Sequence, residues 1–216
     1  MKSILVIGLG RFGRHLCRKF MSLGNEVMIV DRDEAAVSEL ANEVTGAQIA
    51  DCMDEAVLRQ LGVHNFDICF VCIGSDFASS LLITSMLRDL GAQRIISKAS
   101  QDIHARLLLR NGADEVAYPE RDSAERMATR LSAQNVFDYI ELTDEYSIYE
   151  ITPLPGWAGR SLREIDVRNK HHLNILAIKT GEELHPMPGA DYRFTGEEHV
   201  LALASKEDAR KLLRKI

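Results

Sequence analysis

The chain has 216 residues, 46% of them hydrophobic and 27% charged, with a formal net charge of −6; this suits one large domain or two small ones and leaves ample apolar mass for a core. Divided at Asn135, both parts are mildly acidic, so neither is the basic arm that sequence-independent nucleic-acid binding requires. The longest apolar run, "ICFVCIG", is about a third of the ~20 residues of a membrane span, and the N-terminus lacks a signal-peptide pattern, so a soluble, cytoplasmic protein is expected.

In chain order, apolar strands are expected at 3–7, 26–30, 47–50, 67–73, 94–98 and 115–118, with helices at 11–23, 34–42, 54–61, 76–90 and 103–111. Strands that are apolar throughout and alternate with helices imply a parallel sheet covered on both faces. Opening on a glycine-rich turn, the series predicts an α/β class: a doubly wound Rossmann sheet. The helical segment beginning at "RDSAERM" carries Ala124, Met127, Ala128, Leu131 and Asn135 on one stripe and suits a connector or a packing face. From Phe137 the pattern changes to two alternating strands, a Pro/Gly turn, a short helix in "RSLREIDV", strands in "LNILAIKTG" and "HVLALAS", and a closing helix. The expected organisation is a nucleotide-binding domain over 1–136 and a small α+β domain over 137–216.

The turn is "GLGRFG" at Gly8–Gly13. Gly8 permits the tight turn, Gly10 lets backbone approach a phosphate, and Gly13 lets the helix pack on the strand. Amides at the start of the next helix then face anionic oxygens. Asp31 ends the second strand 21 residues after Gly10, where a carboxylate can accept both ribose hydroxyls. Arg11 puts a cation in the first helical turn, opposed by the helix dipole unless an anion arrives there. Arg14 and Arg18 repeat the charge opposite a stripe of Phe12, Leu16, Phe20 and Leu23 and suit a solvated basic face. Arg32 suits a 2′-phosphate, a neighbouring phosphate or a helix cap.

Ligands of such sheets bind at the carboxyl ends of strands. Candidates there are Asp51 and Cys52 after strand three, Ile73 and Gly74 with Ser75 and Asp76 after strand four, Lys98 after strand five and Glu120 after strand six. Phe12, inside the glycine turn, joins this set. Asp51 suits an adenine amino group, Lys98 a terminal phosphate, and Glu120 a divalent cation; a helix cap or surface charge would account for each equally. Cys69 and Cys72 have CxxC spacing on a buried strand, where residues three apart face opposite sides, which favours core packing over a shared metal or redox pair. No Tyr-x-x-x-Lys occurs and the seven histidines form no constellation. Nucleotide binding without a catalytic set points to a sensor rather than an enzyme.

The segments "ILVIGLGRFGRHL", "VMIVDRD", "QIADCMDEAVLRQLGVHNFDICFVCIG", "ISKASQDIHARLLLRNGADEVAYPERD" and "NVFDYIELTDEYSIYEI" together resemble the RCK (KTN) family, cytoplasmic regulators of potassium channels and transporters, within it the single-copy KtrA type. The resemblance covers essentially the whole chain. It implies a homodimer assembling into a homo-octameric gating ring under a membrane transporter subunit of the KtrB/TrkH type, peripheral at the inner membrane face. It implies ATP and ADP competing for the Rossmann cleft, with NAD(H) as the alternative ligand. Arg11 would then reach phosphates, Asp31 the ribose, Asp51 and Cys52 the adenine, and Glu120 a Mg²⁺ or Ca²⁺. The helix after Arg121 would be a crossover between protomers. The pattern "EIDVRNKHHLNIL" is similar to that of relatives that bind cyclic di-AMP, with Arg168 for a phosphate and Asn174 for a ribose or base edge, although "KHH" replaces their smaller, glycine-containing stretch.

Overall fold

The structure is a computed structural model that describes residues 1–132 and 136–213. By contacts the chain divides into Met1–Asp122 and Ser123–Ile216.

The first unit is built on six strands, β1 (Ser3–Ile7), β2 (Glu26–Asp31), β3 (Gly46–Ile49), β4 (Ile68–Val71), β5 (Ile95–Lys98) and β6 (Glu115–Ala117). They form one sheet of order β3-β2-β1-β4-β5-β6, and every neighbouring pair is parallel. Helices α1 (Arg11–Ser22), α2 (Glu34–Leu40), α3 (Glu55–Leu61), α4 (Phe77–Asp89) and α5 (Asp102–Arg110) connect them. Alternate residues of β1 enter opposite cores. Ile4 and Val6 join Cys17, Val37 and Leu40, whereas Leu5 and Ile7 join Leu58, Ile83 and Leu87. This is the covered parallel sheet that the uniformly apolar strands predict. Cys72 and Cys69 fall in the two different cores, as strand geometry requires.

Helix starts follow their side chains. Asp33, Asp54 and Asp76 each accept a backbone amide at the N-cap of α2, α3 and α4. The α1 stripe differs from expectation: Leu23 is exposed, and Met21 packs in its place beside Phe12, Leu16 and Phe20. Arg14 is half-buried and Arg18 exposed, and the structure adds partners to this basic face. Arg14 pairs with Glu39 and its Nε donates to Leu9 O at 2.7 Å, while Arg18 pairs with Glu43, so both arginines fasten α1 to the neighbouring α2 segment.

Helix α6 (Pro119–Ser132) leads into the second unit, where Arg126 pairs with Asp138 at 2.8 Å. Met127 and Leu131 of the expected stripe are exposed, and Asn135 lies outside the described residues. An antiparallel sheet of order β10-β9-β11-β8-β7 follows, from β7 (Val136–Glu141), β8 (Tyr146–Ile151), β9 (Asn174–Thr180), β10 (Glu183–Pro186) and β11 (His199–Ser205). Val200, Ala202 and Ala204 alternate inward onto Trp157, Ile165 and Phe194. Helix α7 (Leu162–Ile165) opens with a capping box from Ser161 and Glu164, α8 (Val167–His171) follows, and α9 (Lys206–Leu213) closes the described chain.

Candidate functional site

At the carboxyl ends of β1 and β4, where strand order reverses, the first unit holds a cavity of about 710 Å³. Such a switch point is where open parallel sheets receive ligands. The volume matches a small-molecule or cofactor site.

The glycine turn forms one wall. Gly8 has φ +94°, a conformation that L side chains rarely adopt, and a Cβ there would lie 3.0 Å from Ile73 Cγ1. A Cβ on Gly13 would stand 2.2 Å from Gly8 O, so only glycine lets α1 approach the turn this closely. Gly13 therefore shapes the site without lining it. Gly10 lines the cavity, and a Cβ on it would meet nothing within 4 Å. As the N-cap of α1 it offers no side-chain hydrogen bond, and the first turn holds no acidic residue. The opening amides of α1 thus lack the side-chain acceptor that caps α2, α3 and α4, the condition in which a helix start receives an anion.

Asp31 serves the turn as well as any ligand. Its Oδ2 accepts Leu9 N–H at 2.5 Å and its Oδ1 accepts Asp33 N–H at 2.9 Å. Each oxygen keeps a further acceptor site, so the carboxylate can still take hydroxyls. Arg32 lines the cavity and caps nothing, because Asp33 holds the α2 cap. Asp51 accepts Met53 N–H at 2.9 Å, and Asp54, not Asp51, caps α3. Cys52 lines the same end and is buried, with its thiol pushed up to about 12 by burial and by the charges of Asp51 and Asp31. It is a neutral wall group, not a thiolate.

At the other end, Phe12, Ile73, Gly74, Lys98 and Glu120 line the space together. Lys98 Nζ lies 2.7 Å from Glu120 Oε1 and 5.9 Å from the Phe12 ring centroid. The Lys98 bond holds the Glu120 carboxyl below the usual range, and Arg11 adds to the effect. The sequence places a phosphate on Lys98 and a cation on Glu120 as separate partners, whereas here they are each other's. Among the described residues no three His, Cys, Asp or Glu side chains gather as a metal site, so Glu120 by itself does not fit a divalent ion.

The structure adds wall residues that motif reading passed over. Ser79 lines the cavity and binds Asp76 through both its amide (3.0 Å) and its hydroxyl (2.6 Å), holding the Asp76 carboxyl below the usual range. Ser100 lines the far end, where its carbonyl accepts Tyr118 O–H at 2.9 Å. Ser100 lies two residues after β5, where position at the end of a strand could have signalled it, whereas Ser79 lies in the first turn of α4 and carried no such signal. In the second unit, Arg168 and Asn174 meet, with Arg168 Nη2 3.1 Å from Asn174 Oδ1, both exposed.

The family model for the TrkA-N domain matches residues 4–119 and that for the TrkA-C domain matches 146–216. Ktr system potassium uptake protein C of Bacillus subtilis (strain 168) is 40% identical over 215 residues, covering 100% of this chain and 97% of that protein. The chain belongs to the KtrA/TrkA-type RCK family. A second member, Ktr system potassium uptake protein A of the same organism, is 35% identical over 210 residues, 97% of this chain and 95% of that protein. Among solved structures, the GsuK channel bound to NAD superimposes with a TM-score of 0.69 and 20% identity, over 96% of this chain. The RCK chain spans 38% of that channel's length, and the likeness is one of fold. No helix among the described residues of this RCK protein is long and apolar enough to cross a membrane.

Proposed function

We propose that this chain is the nucleotide-binding regulatory subunit of a Ktr/Trk-type potassium uptake system, a ligand-gated protein and not an enzyme, that takes ATP or ADP in the β1/β4 cavity. The observation that carries the reading is the start of α1, uncapped and free of acidic residues, opening on a cavity whose other walls supply Asp31 and Lys98. Whole-length identity of 40% to a potassium uptake protein supports the physiological setting.

In this reading phosphates lie at Gly10 and Arg11, with Gly8 and Gly13 shaping that turn. Asp31 takes the ribose, Asp51 and Cys52 face the adenine, and Phe12, Ile73 and Gly74 complete the walls, with Arg32 at the rim. A ligand shifts a protein between shapes only by its difference in affinity for them. ATP and ADP share base, ribose and two phosphates, so the third phosphate carries the difference, and Arg11 and Lys98 are the cations that read it. A Mg²⁺ or Ca²⁺ would come with the phosphates, whose oxygens would supply the ligands that Glu120 alone does not. The partner is a membrane potassium transporter subunit, which places the protein at the inner face of the membrane. Residues 1–136, including the crossover helix, form the nucleotide-binding domain and 137–216 the regulatory one, and dimers assemble into an octameric ring. Arg168 and Asn174 stand as contacts for cyclic di-AMP.

NAD(H) on the same scaffold is the second reading, since a channel of this fold has been solved bound to NAD. Competition of ATP, ADP, NADH and NADPH against a fluorescent ATP analogue on the purified protein separates the two. Displacement by ATP and ADP well below the concentrations needed for NADH supports the first reading, and the reverse order overturns it.

A further inference from the structure

Two cations of the cavity wall differ in company. Lys98 has a carboxylate partner, whereas Arg32, exposed at the rim, makes no hydrogen bond or ion pair among the described residues. Its place in the chain suits a ligand, because a guanidinium near the end of the second strand is what accommodates a ribose 2′-phosphate. The charges around it point the other way. Arg32 follows β2, and Asp76, the N-cap of α4, follows β4, so the two flank the turn after β1, the strand between them. Asp76 is fixed there: its Oδ1 accepts Ser79 N–H at 3.0 Å and its Oδ2 accepts Ser79 O–H at 2.6 Å. These bonds hold the Asp76 carboxyl below the usual range, and the charge of Arg32 adds to the effect. Asp31 and Asp51 line the same side, where both charges reach the Cys52 thiol. The base-and-ribose side thus carries three carboxylates against one guanidinium, while the side toward α1 and β5 carries Arg11 and Lys98 against Glu120.

We propose that Asp76 is a specificity-determining residue, which offsets the charge of Arg32 and turns the ribose side of the cavity against a second phosphate. The site then takes 5′-nucleotides whose 2′-hydroxyl is unmodified and rejects those phosphorylated at that position. This rests on the nucleotide reading of the cavity and deepens it. Rejection comes from the wrong ligand's own charge, which meets Asp31 and Asp76 with the one nearby cation already offset. A hydroxyl has the opposite standing. It donates to an acceptor site left on Asp31 and is not repelled by the carboxylates beside it. The unpartnered guanidinium is therefore a countercharge of the wall and not a 2′-phosphate receptor.

The test is calorimetric titration of the full chain with AMP, ADP and adenosine 2′,5′-bisphosphate, for wild type, D76N, R32Q and the double variant. Asparagine caps a helix as well as aspartate does, so D76N removes the charge and keeps the start of α4; matched thermal melts check that each variant folds. Wild type should bind the bisphosphate about tenfold or more weakly than AMP. In D76N that gap should narrow about fivefold, the scale of one partly screened charge, while the ratio of AMP to ADP is kept. The narrowing should shrink when Arg32 is also replaced. A wild type that binds the bisphosphate as tightly as AMP would overturn the proposal, and so would a D76N gap equal to the wild-type one. Equal tightening of all three ligands in D76N, the mark of a general change of field, would overturn it too, as would a gain undiminished in the double variant. A wild-type chain that binds none of the three would sink the nucleotide reading itself, a result distinct from the others.

Discussion

Gly10 and Gly13 are two glycines of one turn, and the structure gives them opposite vulnerabilities. A methyl on Gly13 would lie 2.2 Å from Gly8 O and 3.3 Å from Gly8 C, both backbone atoms that cannot rotate away. Gly13→Ala must push α1 off the turn, and overpacking of this kind costs about 1–3 kcal/mol. At Gly10 the methyl meets nothing within 4 Å, and the backbone, at φ −64° and ψ 179°, is one that alanine adopts freely. Two small terms then nearly cancel. Restricting the unfolded chain stabilises by about 0.4–1 kcal/mol, and alanine is a poorer N-cap than glycine by about half a kcal/mol. Gly10→Ala should therefore keep the wild-type melting temperature to within a few degrees. It should nevertheless weaken ATP at least tenfold, because the methyl stands where a phosphate would approach the amides. Thermal melts and calorimetric titration of both variants check this. Unchanged ATP affinity in Gly10→Ala would refute the placement of phosphate at this backbone, and an undisturbed melt in Gly13→Ala would refute the packing argument.

Other predictions follow from neighbouring residues. Arg11→Gln should weaken ATP more than ADP when both are titrated, and equal losses would remove Arg11 as the group that senses the third phosphate. Asp31→Asn keeps one acceptor oxygen for two amides, so either Leu9 N–H or Asp33 N–H loses its partner; the expected cost is about 1–3 kcal/mol in denaturant unfolding, with weaker nucleotide binding as well. Cys17, Cys52 and Cys69 have thiols raised from the ordinary 9.0 to about 12, and burial raises Cys72 too. Because folding raises these values, their stabilisation is complete below pH 9 and is lost as pH rises toward 12, by at most about 1.4 kcal/mol per pH unit for each thiol. Urea unfolding at pH 8 and pH 10.5 should show that loss, and replacing Cys69 by alanine should reduce the slope.

The first unit was legible in its sequence because its strands are apolar on both faces and its turns carry Gly or a capping Asp. Period and punctuation there agree with the tertiary structure. Partners far apart in sequence were not legible. The ion pairing of Arg14 and Arg18 was not legible because Glu39 and Glu43 lie on another segment, and only the packing of α1 beside α2 brings them together. The Lys98–Glu120 pair likewise needs the adjacency of β5 and β6. In the second unit, β10 is "ELHP", with no apolar run and a proline, and is held as an edge strand by its pairing with β9. Helix α8 was hidden because the break from α7 is made by Asp166 at φ +57°, where glycine is the residue that would signal it.

In the proposed function an adenine nucleotide fills the β1/β4 cavity with its phosphates at the start of α1. Native mass spectrometry of the purified chain, before and after adding ATP or ADP, tests it most directly. A mass increment of one nucleotide per chain is expected, present from purification or acquired on addition, and reduced in Gly10→Ala. A chain that stays at its bare mass with every adenine nucleotide offered, while correctly folded, would contradict it.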